Sequence, residues 1–358
     1  MNTDQRGSVT VTGTEQYEAW QRCVPPPVEK LRYGIWSVPV PMTGHPLRYT
    51  LCYVVEGRDG PVLIDPGWPD DAAWEGLVAG LATAGFAPSD VDGVLVSHAH
   101  SDHHGLAGRV RERSGCWIGM HPRDAATLRG YRDPATVRTR DDALFDVAGV
   151  PDVERPALRG AGRMLRSLAQ TLPDREIDEN VTGLVPGRAL RAMWTPGHTP
   201  GHLTFVEPDA KIMFTGDHLL PRITSNVSMY ELGGGDVLGT YLRSVSRLGS
   251  FGDEVEVLPA HEYRFRGVRA RISALEGHHT ARLEEIASTV LELGSGTVWE
   301  IAARVGWSRG WAATTGGRRR LALAETLAHL DHLRVTGRIR RAGDRPAQWS
   351  VRERRTES

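Results

Sequence analysis

The chain has 358 residues, 40% hydrophobic and 24% charged, with 43 Lys and Arg against 44 Asp and Glu for a formal net charge of −1. That length holds a large domain plus a smaller one, the composition excludes disorder over most of the chain, and the charge balance gives no global pull toward nucleic acid or anionic membranes. There is no run of 18 or more apolar residues, and the N-terminal stretch lacks the basic and apolar regions of a signal peptide, so the sequence reads as cytoplasmic, with no membrane partner. Cys23, Cys52 and Cys116 are scattered and odd in number, and are expected to be buried packing residues rather than disulfide or zinc cysteines.

Residues 1–30 read as a polar leader with one short helix, ending in Pro25-Pro26-Pro27. Gly34 to Val40, Tyr49 to Glu56 and Pro61 to Ile64 are then successive strands, the last two joined by Gly57-Arg58-Asp59-Gly60. Asp65 stands at a strand end. From Asp70 to Ala84 the residues Trp74, Leu77, Val78 and Leu81 recur at helical spacing, with Gly85 as C-cap. Val91 to Val96 is a short β-branched run and predicts a buried strand. It delivers Ser97-His98-Ala99-His100-Ser101-Asp102-His103-His104-Gly105 into a loop, followed by a helix over Gly105 to Arg113 and a strand over Cys116 to Met120.

Residues 123–180 interrupt the strands with helix-like segments, Asp141 to Ala148 and Leu158 to Leu172. They carry no catalytic motif and read either as a lid that sets selectivity or as an elaboration of the outer layer. Strands resume at Ala189 to Trp194, Leu203 to Glu207 and Ala210 to Phe214. Residues 222–231 are expected to line the pocket, Asp236 to Leu248 to form a helix, and Val255 to Leu258 a strand. Beyond residue 265, Gly267 to Ala287, Thr297 to Val305 and Leu321 to Val335 read as helices, and Arg338 to Arg341 with Gln348 to Val351 as a two-stranded wing.

Three imidazoles and a carboxylate within six residues are the ligand types of zinc and iron. In H-x-H-x-D-H, residues 98 and 100 point the same way from an extended segment, while Asp102 and His103 lie past the turn and face a second point. One loop can thus serve two metals. The further ligands that such a site needs follow in order, each after an apolar run: Thr195-Pro196-Gly197-His198-Thr199-Pro200-Gly201-His202, Phe214-Thr215-Gly216-Asp217 and Leu258-Pro259-Ala260-His261.

These four segments resemble the metal-binding motifs of the metallo-β-lactamase-fold hydrolase superfamily, with the ligand set of glyoxalase II. The resemblance implies an α/β fold, a four-layer αββα sandwich over residues 31–265 with its site at one edge. It implies two divalent metal ions, zinc first with iron or manganese as alternatives. His98, His100 and His198 would hold the first, Asp102, His103 and His261 the second, and Asp217 would bridge them. A bridging hydroxide would be the nucleophile, with Asp102 and Asp217 as the catalytic carboxylates. Asp65 is expected to brace the loop. His202 would hydrogen-bond a ligand or the backbone. His218 would pack or donate a proton to the leaving group, and His104 and His121 stay outside the ligand set. Residues 266–358 resemble the small α+β winged-helix domain of some relatives, including a lactamase-like endoribonuclease branch.

Asp217 separates the chain from the broad-spectrum zinc β-lactamases, which have cysteine or serine near that place. Glyoxalase II shares even His261-Glu262-Tyr263, yet its glutathione-binding basic residues are not recognisable here. Flavin-linked diiron oxygen reductases place a glutamate where His100 stands. A small-molecule hydrolase of thioesters, esters or lactones is the leading expectation. A ribonuclease, supported by the C-terminal region and by Arg318, Arg319, Arg320, Arg338, Arg340 and Arg341, is the alternative, ahead of a mononuclear-iron sulfur dioxygenase. The C-terminal region could instead form a packing module or a homodimer contact.

Overall fold

A computed structural model of the protein describes residues 9–159, 171–229, 232 and 235–352. The chain divides into two compact units, one of Met1–Arg132, Met164–Ser225 and Ser244–Ala274, the other of Asp133–Arg163, Asn226–Arg243 and Leu275–Ser358.

The first unit is built on two sheets. Strands β1 (Thr10–Val11), β2 (Glu29–Lys30), β3 (Ile35–Pro41), β4 (Tyr49–Glu56), β5 (Pro61–Ile64), β6 (Gly93–Leu95), β7 (Trp117–Met120) and β8 (Arg175–Glu176) come first in the chain. They are followed by β9 (Arg191–Trp194), β10 (Leu203–Glu207), β11 (Ile212–Gly216), β12 (Glu256–Pro259) and β13 (Phe265–Arg266). One sheet runs in the order β2-β3-β4-β5-β6-β7-β8 and the other in the order β1-β13-β12-β11-β10-β9. The helices of this unit are α1 (Thr14–Gln21), α2 (Asp71–Thr83), α3 (Ser101–His104), α4 (Ala107–Ser114) and α5 (Pro122–Tyr131).

Strand β4 shows why the layers stack. Its side chains alternate, and both sets are buried, so the strand must be covered on two faces. Leu51, Tyr53 and Val55 meet Leu203, Phe205, Ile212, Phe214 and Leu258 of the other sheet. Cys52 and Val54 instead join Trp74, Leu77 and Leu81 of α2, Val110 of α4 and Leu128 of α5. Gly93 admits the crossing of β7 beside β6, because a Cβ there would stand 2.2 Å from the Trp117 ring. The result is the αββα sandwich that the motifs imply.

The second unit contains α6 (Pro134–Ala148), α7 (Arg155–Leu158), most of α8 (Val237–Leu248) and α9 (Val268–Leu293), then β14 (Ser295–Gly296), α10 (Val298–Ala302), α11 (Gly316–Val335), β15 (Ile339–Ala342) and β16 (Gln348–Val351). Its sheet has the order β14-β16-β15. Thr297 caps α10 through a reciprocal pair, its hydroxyl accepting from Glu300 N at 3.2 Å while Glu300 Oε2 accepts from Thr297 N at 2.8 Å. No described helix is long and apolar enough to cross a membrane.

Several expectations shift. Cys52 and Cys116 are buried, but Cys23 is exposed, past the end of α1. Helix α6 begins at Pro134, seven residues ahead of the expected Asp141, because Asp133 caps it and Pro134 takes the first helical position. Helix α11 starts at Gly316 behind Thr315, where the two glycines hid it. Of the expected helix over Leu158 to Leu172, residues 160–170 lie outside the described residues, as do residues 230 and 231 of the expected pocket segment.

Two tyrosines fasten the sheets at the edge where the histidines gather. Tyr49 Oη donates to Glu262 O and Tyr53 Oη to Pro259 O, both at 2.9 Å, on either side of His261. Tyr53→Phe strands a buried carbonyl and is expected to lower unfolding stability by about 1–2 kcal/mol, as measured by urea denaturation. An unchanged midpoint would show that this bond is not a fastener.

Candidate metal centre

Every histidine or aspartate singled out as a ligand follows the carboxyl end of a strand. His98 to His103 follow β6, His198 follows β9, Asp217 follows β11 and His261 follows β12. Strands β5, β6 and β7 are mutually parallel, as are β11 and β12, so their carboxyl ends open on one edge of the sandwich. Cross-links hold those ends together: Leu203 N donates to Ser97 O at 2.8 Å, Leu51 N to Ala260 O at 2.7 Å and Ala260 N to Gly216 O at 3.0 Å.

Two clusters form there. His98, His100, His198 and Asp217 make the first, and Asp102, His103 and His261 the second. In the first, His98 Nε2 stands 2.9 Å from His100 Nδ1, and His198 Nε2 stands 3.2 and 3.1 Å from those two atoms. Nitrogens bound to one tetrahedral ion stand about 3.3 Å apart, so this triangle has the dimensions of a ligand face.

The outer partners decide which nitrogens face inward. Ser97 Oγ gives its one proton to Asp65 Oδ2 at 2.6 Å, so toward His98 Nδ1, at 2.9 Å, it can only accept. That leaves the lone pair of His98 on Nε2, in the triangle. His103 Nδ1 meets Asp65 Oδ2 at 2.9 Å and His261 Nδ1 meets Tyr49 O at 3.0 Å. Both acceptors lack a proton, so in the neutral rings Nε2 carries the lone pair.

Asp217 lies between the clusters. Its Oδ1 is 3.2 Å from His261 Nε2 and 3.5 Å from His103 Nε2, while Oδ2 is 3.6 Å from His198 Nε2. Yet Asp217 Oδ1, His103 Nε2 and His261 Nε2 are buried without a hydrogen bond among the described residues. Buried polar atoms are rarely left so, and a shared cation at the centre of these donors would satisfy all three. The residues present therefore fit divalent metal ions.

The electrostatics of the protein groups divide the same way. Burial, with the neighbouring imidazoles, holds His98 well below its ordinary value and His100 down at about 3, so these two rings are neutral. Burial also pulls down His103 and His261, but the Asp217 and Asp102 carboxylates outweigh it, raising His103 and lifting His261 to about 10. Asp102 and Asp217 in turn stay ionised despite burial, held low by those two histidines.

The remaining residues take supporting places. Asp65, at φ 55, also accepts from Ser97 N at 2.7 Å and so braces the first loop, as expected. His202 turns Nδ1 to Thr195 Oγ1 at 2.9 Å, outside both clusters. His218 is fully buried, with Nε2 3.0 Å from Ser244 Oγ; because Ser244 donates to Pro196 O at 2.6 Å, it accepts from His218. That leaves His218 in a packing and hydrogen-bonding place. His104 is buried without a hydrogen bond at either nitrogen among the described residues. His121 opens α5 as its N-cap.

Sequence reasoning missed Asp124. Its carboxylate accepts from Ala99 N at 2.8 Å and Thr199 Oγ1 at 2.7 Å through Oδ2, and from Gly201 N at 2.6 Å through Oδ1. It thus bolts the His98–His100 loop to the His198 loop. Gly201 is required there, since a Cβ would stand 2.6 Å from Asp124 N. Burial pushes Asp124 up to about 6 while its three donors pull it back. The one available signal was an aspartate in the first turn of a helix that follows a strand end.

The Metallo-beta-lactamase superfamily profile matches residues 45–261. An uncharacterised protein of Mycobacterium leprae (strain TN) is 30% identical over 214 residues, 59% of this chain and 85% of the relative. The probable metallo-hydrolase YqjP of Bacillus subtilis (strain 168) is 24% identical over 297 residues, 79% of this chain and 87% of its own. A metallo-beta-lactamase family protein from Thermus thermophilus superposes with a TM-score of 0.77 at 28% identity, covering 89% of this chain and 99% of its own. A beta-lactamase domain protein from Burkholderia ambifaria shares the fold at a TM-score of 0.77 and 22% identity, over 98% of this chain and 99% of its own. The chain belongs to the metallo-beta-lactamase superfamily, a family of metallo-hydrolases.

A pH signature follows for protein stripped of metal. A histidine raised above its unfolded value stabilises the fold while protonated, so the His261 contribution is complete below 6.5 and is lost as pH rises to about 10. The melting temperature of chelator-treated protein is expected to fall across that interval, and that of metal-loaded protein to fall less, because metal binding displaces the same protons. Parallel thermal melts check this; identical profiles would remove the ion-pair account.

Proposed function

We propose that the chain is a dinuclear-metal hydrolase of a small-molecule thioester, ester or lactone, working in the cytoplasm, with zinc as the first candidate ion and iron or manganese as alternatives. The observation that carries this reading is the pose of Asp217, with one carboxylate oxygen toward each histidine cluster. His98, His100 and His198 would hold one ion, Asp102, His103 and His261 the other, and Asp217 both. Two ions there would supply Lewis acidity to a carbonyl oxygen and bring the pKa of water toward neutrality.

The chain's own groups do the positioning. Asp65, Ser97 and Tyr49 fix which nitrogen of His98, His103 and His261 faces inward, and Asp124 keeps the two ligand loops in register. Asp102 and Asp217, held ionised at the clusters, would supply the negative charge that keeps the ions in place. His218, fully buried against Ser244, is not placed to protonate a leaving group.

The second reading, a ribonuclease, draws on the order α9, β14, α10, α11, β15, β16, which supports a winged-helix-like module over residues 266–358. Charge pairing weighs against it. Arg319 meets Glu154 at 2.9 Å, Arg320 meets Asp141 at 2.8 Å and Arg338 meets Glu284 at 2.7 Å, all inside the second unit. Arginines spent this way serve packing more than phosphate binding.

Elemental analysis is expected to give two ions per chain, and Asp217→Ala to lower metal content and turnover together. Intact stoichiometry and rate in that variant would sink the bridging role. A panel of acyl thioesters, lactones and single-stranded RNA ranks the two readings. RNA cleavage with a log–log salt slope near −0.7 per phosphate contact, and no acyl turnover, would select the ribonuclease.

A further inference from the structure

A half-buried pair of rings, His45 and Trp68, stands at the metal centre without belonging to it. His45 lies in the loop between β3 and β4, four residues before Tyr49, whose carbonyl holds His261. Trp68 lies three residues after Asp65, whose carboxylate holds His103. The two rings stack with centroids 5.7 Å apart and planes 29° apart. Each ring thus adjoins a residue that holds a ligand of the second cluster, and the charges of Asp102, His261 and Asp217 all act on His45.

The loop fixes the histidine's tautomer. His45 N donates to Met42 O at 3.1 Å and Arg48 N to His45 O at 3.0 Å, closing a compact turn. Leu47 N donates to His45 Nδ1 at 3.3 Å. Nδ1 is therefore an acceptor, and the ring's proton sits on Nε2. No hydrogen-bond acceptor for Nε2 occurs among the described residues. Burial also lowers the pKa of the ring, so it stays neutral. A half-exposed neutral donor, stacked on an indole and within electrostatic reach of a carboxylate-rich cluster, is free to meet a ligand.

We propose that His45 and Trp68 form the acyl subsite, Trp68 packing against a planar apolar acyl group, an aryl group best of all, and His45 Nε2–H donating to an oxygen of the same substrate. This rests on the hydrolase reading for the word acyl, but not for the contact itself. The subsite would select aryl and other flat acyl groups over short alkyl ones.

Binding separates the two claims. Metal-loaded full-length protein is titrated calorimetrically with benzohydroxamate and acetohydroxamate, which share a metal-chelating head and differ in the acyl group. Wild type is expected to prefer the aryl probe by about 3- to 10-fold, the worth of one aromatic contact. Trp68→Ala should abolish that preference and leave acetohydroxamate unchanged. His45→Phe, which keeps a ring on Trp68 but removes the donor, should weaken both probes about equally, by roughly 3- to 10-fold. Trp68→Phe, a milder change, should retain part of the preference. Equal or absent binding of the two probes by wild type, or loss of metal in His45→Phe and Trp68→Phe, overturns the subsite. Aryl preference without turnover of any acyl substrate would keep the subsite and sink the hydrolase reading.

Discussion

The centre of this molecule depends on one constraint, that an imidazole has two nitrogens and only the one facing away from the clusters can be tied down by the protein. Asp65 does most of the tying. It accepts from Ser97 N, Ser97 Oγ and His103 Nδ1, and through Ser97 it sets His98 as well. It does so from a left-handed backbone conformation, φ 55, that a non-glycine residue adopts only when its surroundings impose it. Tyr49 O performs the same service for His261. Unanchored rings in so dry a place would each leave a desolvated nitrogen, at a cost of about 1–3 kcal/mol apiece. The outer shell is thus a condition of folding as well as of metal binding.

That shell explains why the site straddles two sheets. The first sheet contributes Asp65 and the His98–His103 segment, and the second contributes His198, Asp217 and His261. Their relative placement is fixed by the shared inter-sheet core, by Tyr49 and Tyr53 reaching to the carbonyls around His261, and by Leu51 N on Ala260 O. Gly216, at φ 49, lets the Asp217 turn approach Ser97 and His202, because a Cβ there would stand 2.7 Å from Ser97 Oγ and 2.8 Å from His202 Nε2. A larger residue would push the aspartate's strand away from the histidine loop.

Much of this was legible in the sequence because the ligand residues come in short runs after apolar strands, where type and spacing both carry information. Strands β4, β5 and β10 fall where alternation and turn residues put them. What could not be read depends on contacts between residues distant in the chain. Asp124 meets Thr199 and Gly201 across more than seventy positions, and nothing in the local sequence His121-Pro122-Arg123-Asp124 separates it from an ordinary first-turn acid. His45 and Trp68 meet through a loop and a strand end with no shared motif. The exposure of Cys23 likewise turns on where the chain leaves α1, which composition does not encode. Helix starts at Pro134 and Gly316 were missed for a local reason, since proline and glycine suppress helical pattern at the very positions where caps favour them.

In the proposed assignment the two clusters are electrostatically unequal, and this inequality bears on chemistry. The first offers three neutral imidazoles and one oxygen of Asp217; the second offers two imidazoles, the Asp102 carboxylate and the other oxygen of Asp217. An ion in the first cluster would keep more of its charge and polarise a carbonyl more strongly, whereas one in the second would be more fully neutralised. Among the protein groups alone, burial takes His100 down to about 3, while His261 rises to about 10 because it stands against the two carboxylates. Loading the second cluster must therefore displace protons that loading the first need not. Occupancy of the second cluster should depend more steeply on pH, with acid emptying it ahead of the first. The asymmetry originates in a single position of the sequence, the aspartate at 102, where the first cluster has only nitrogen donors beyond the shared Asp217.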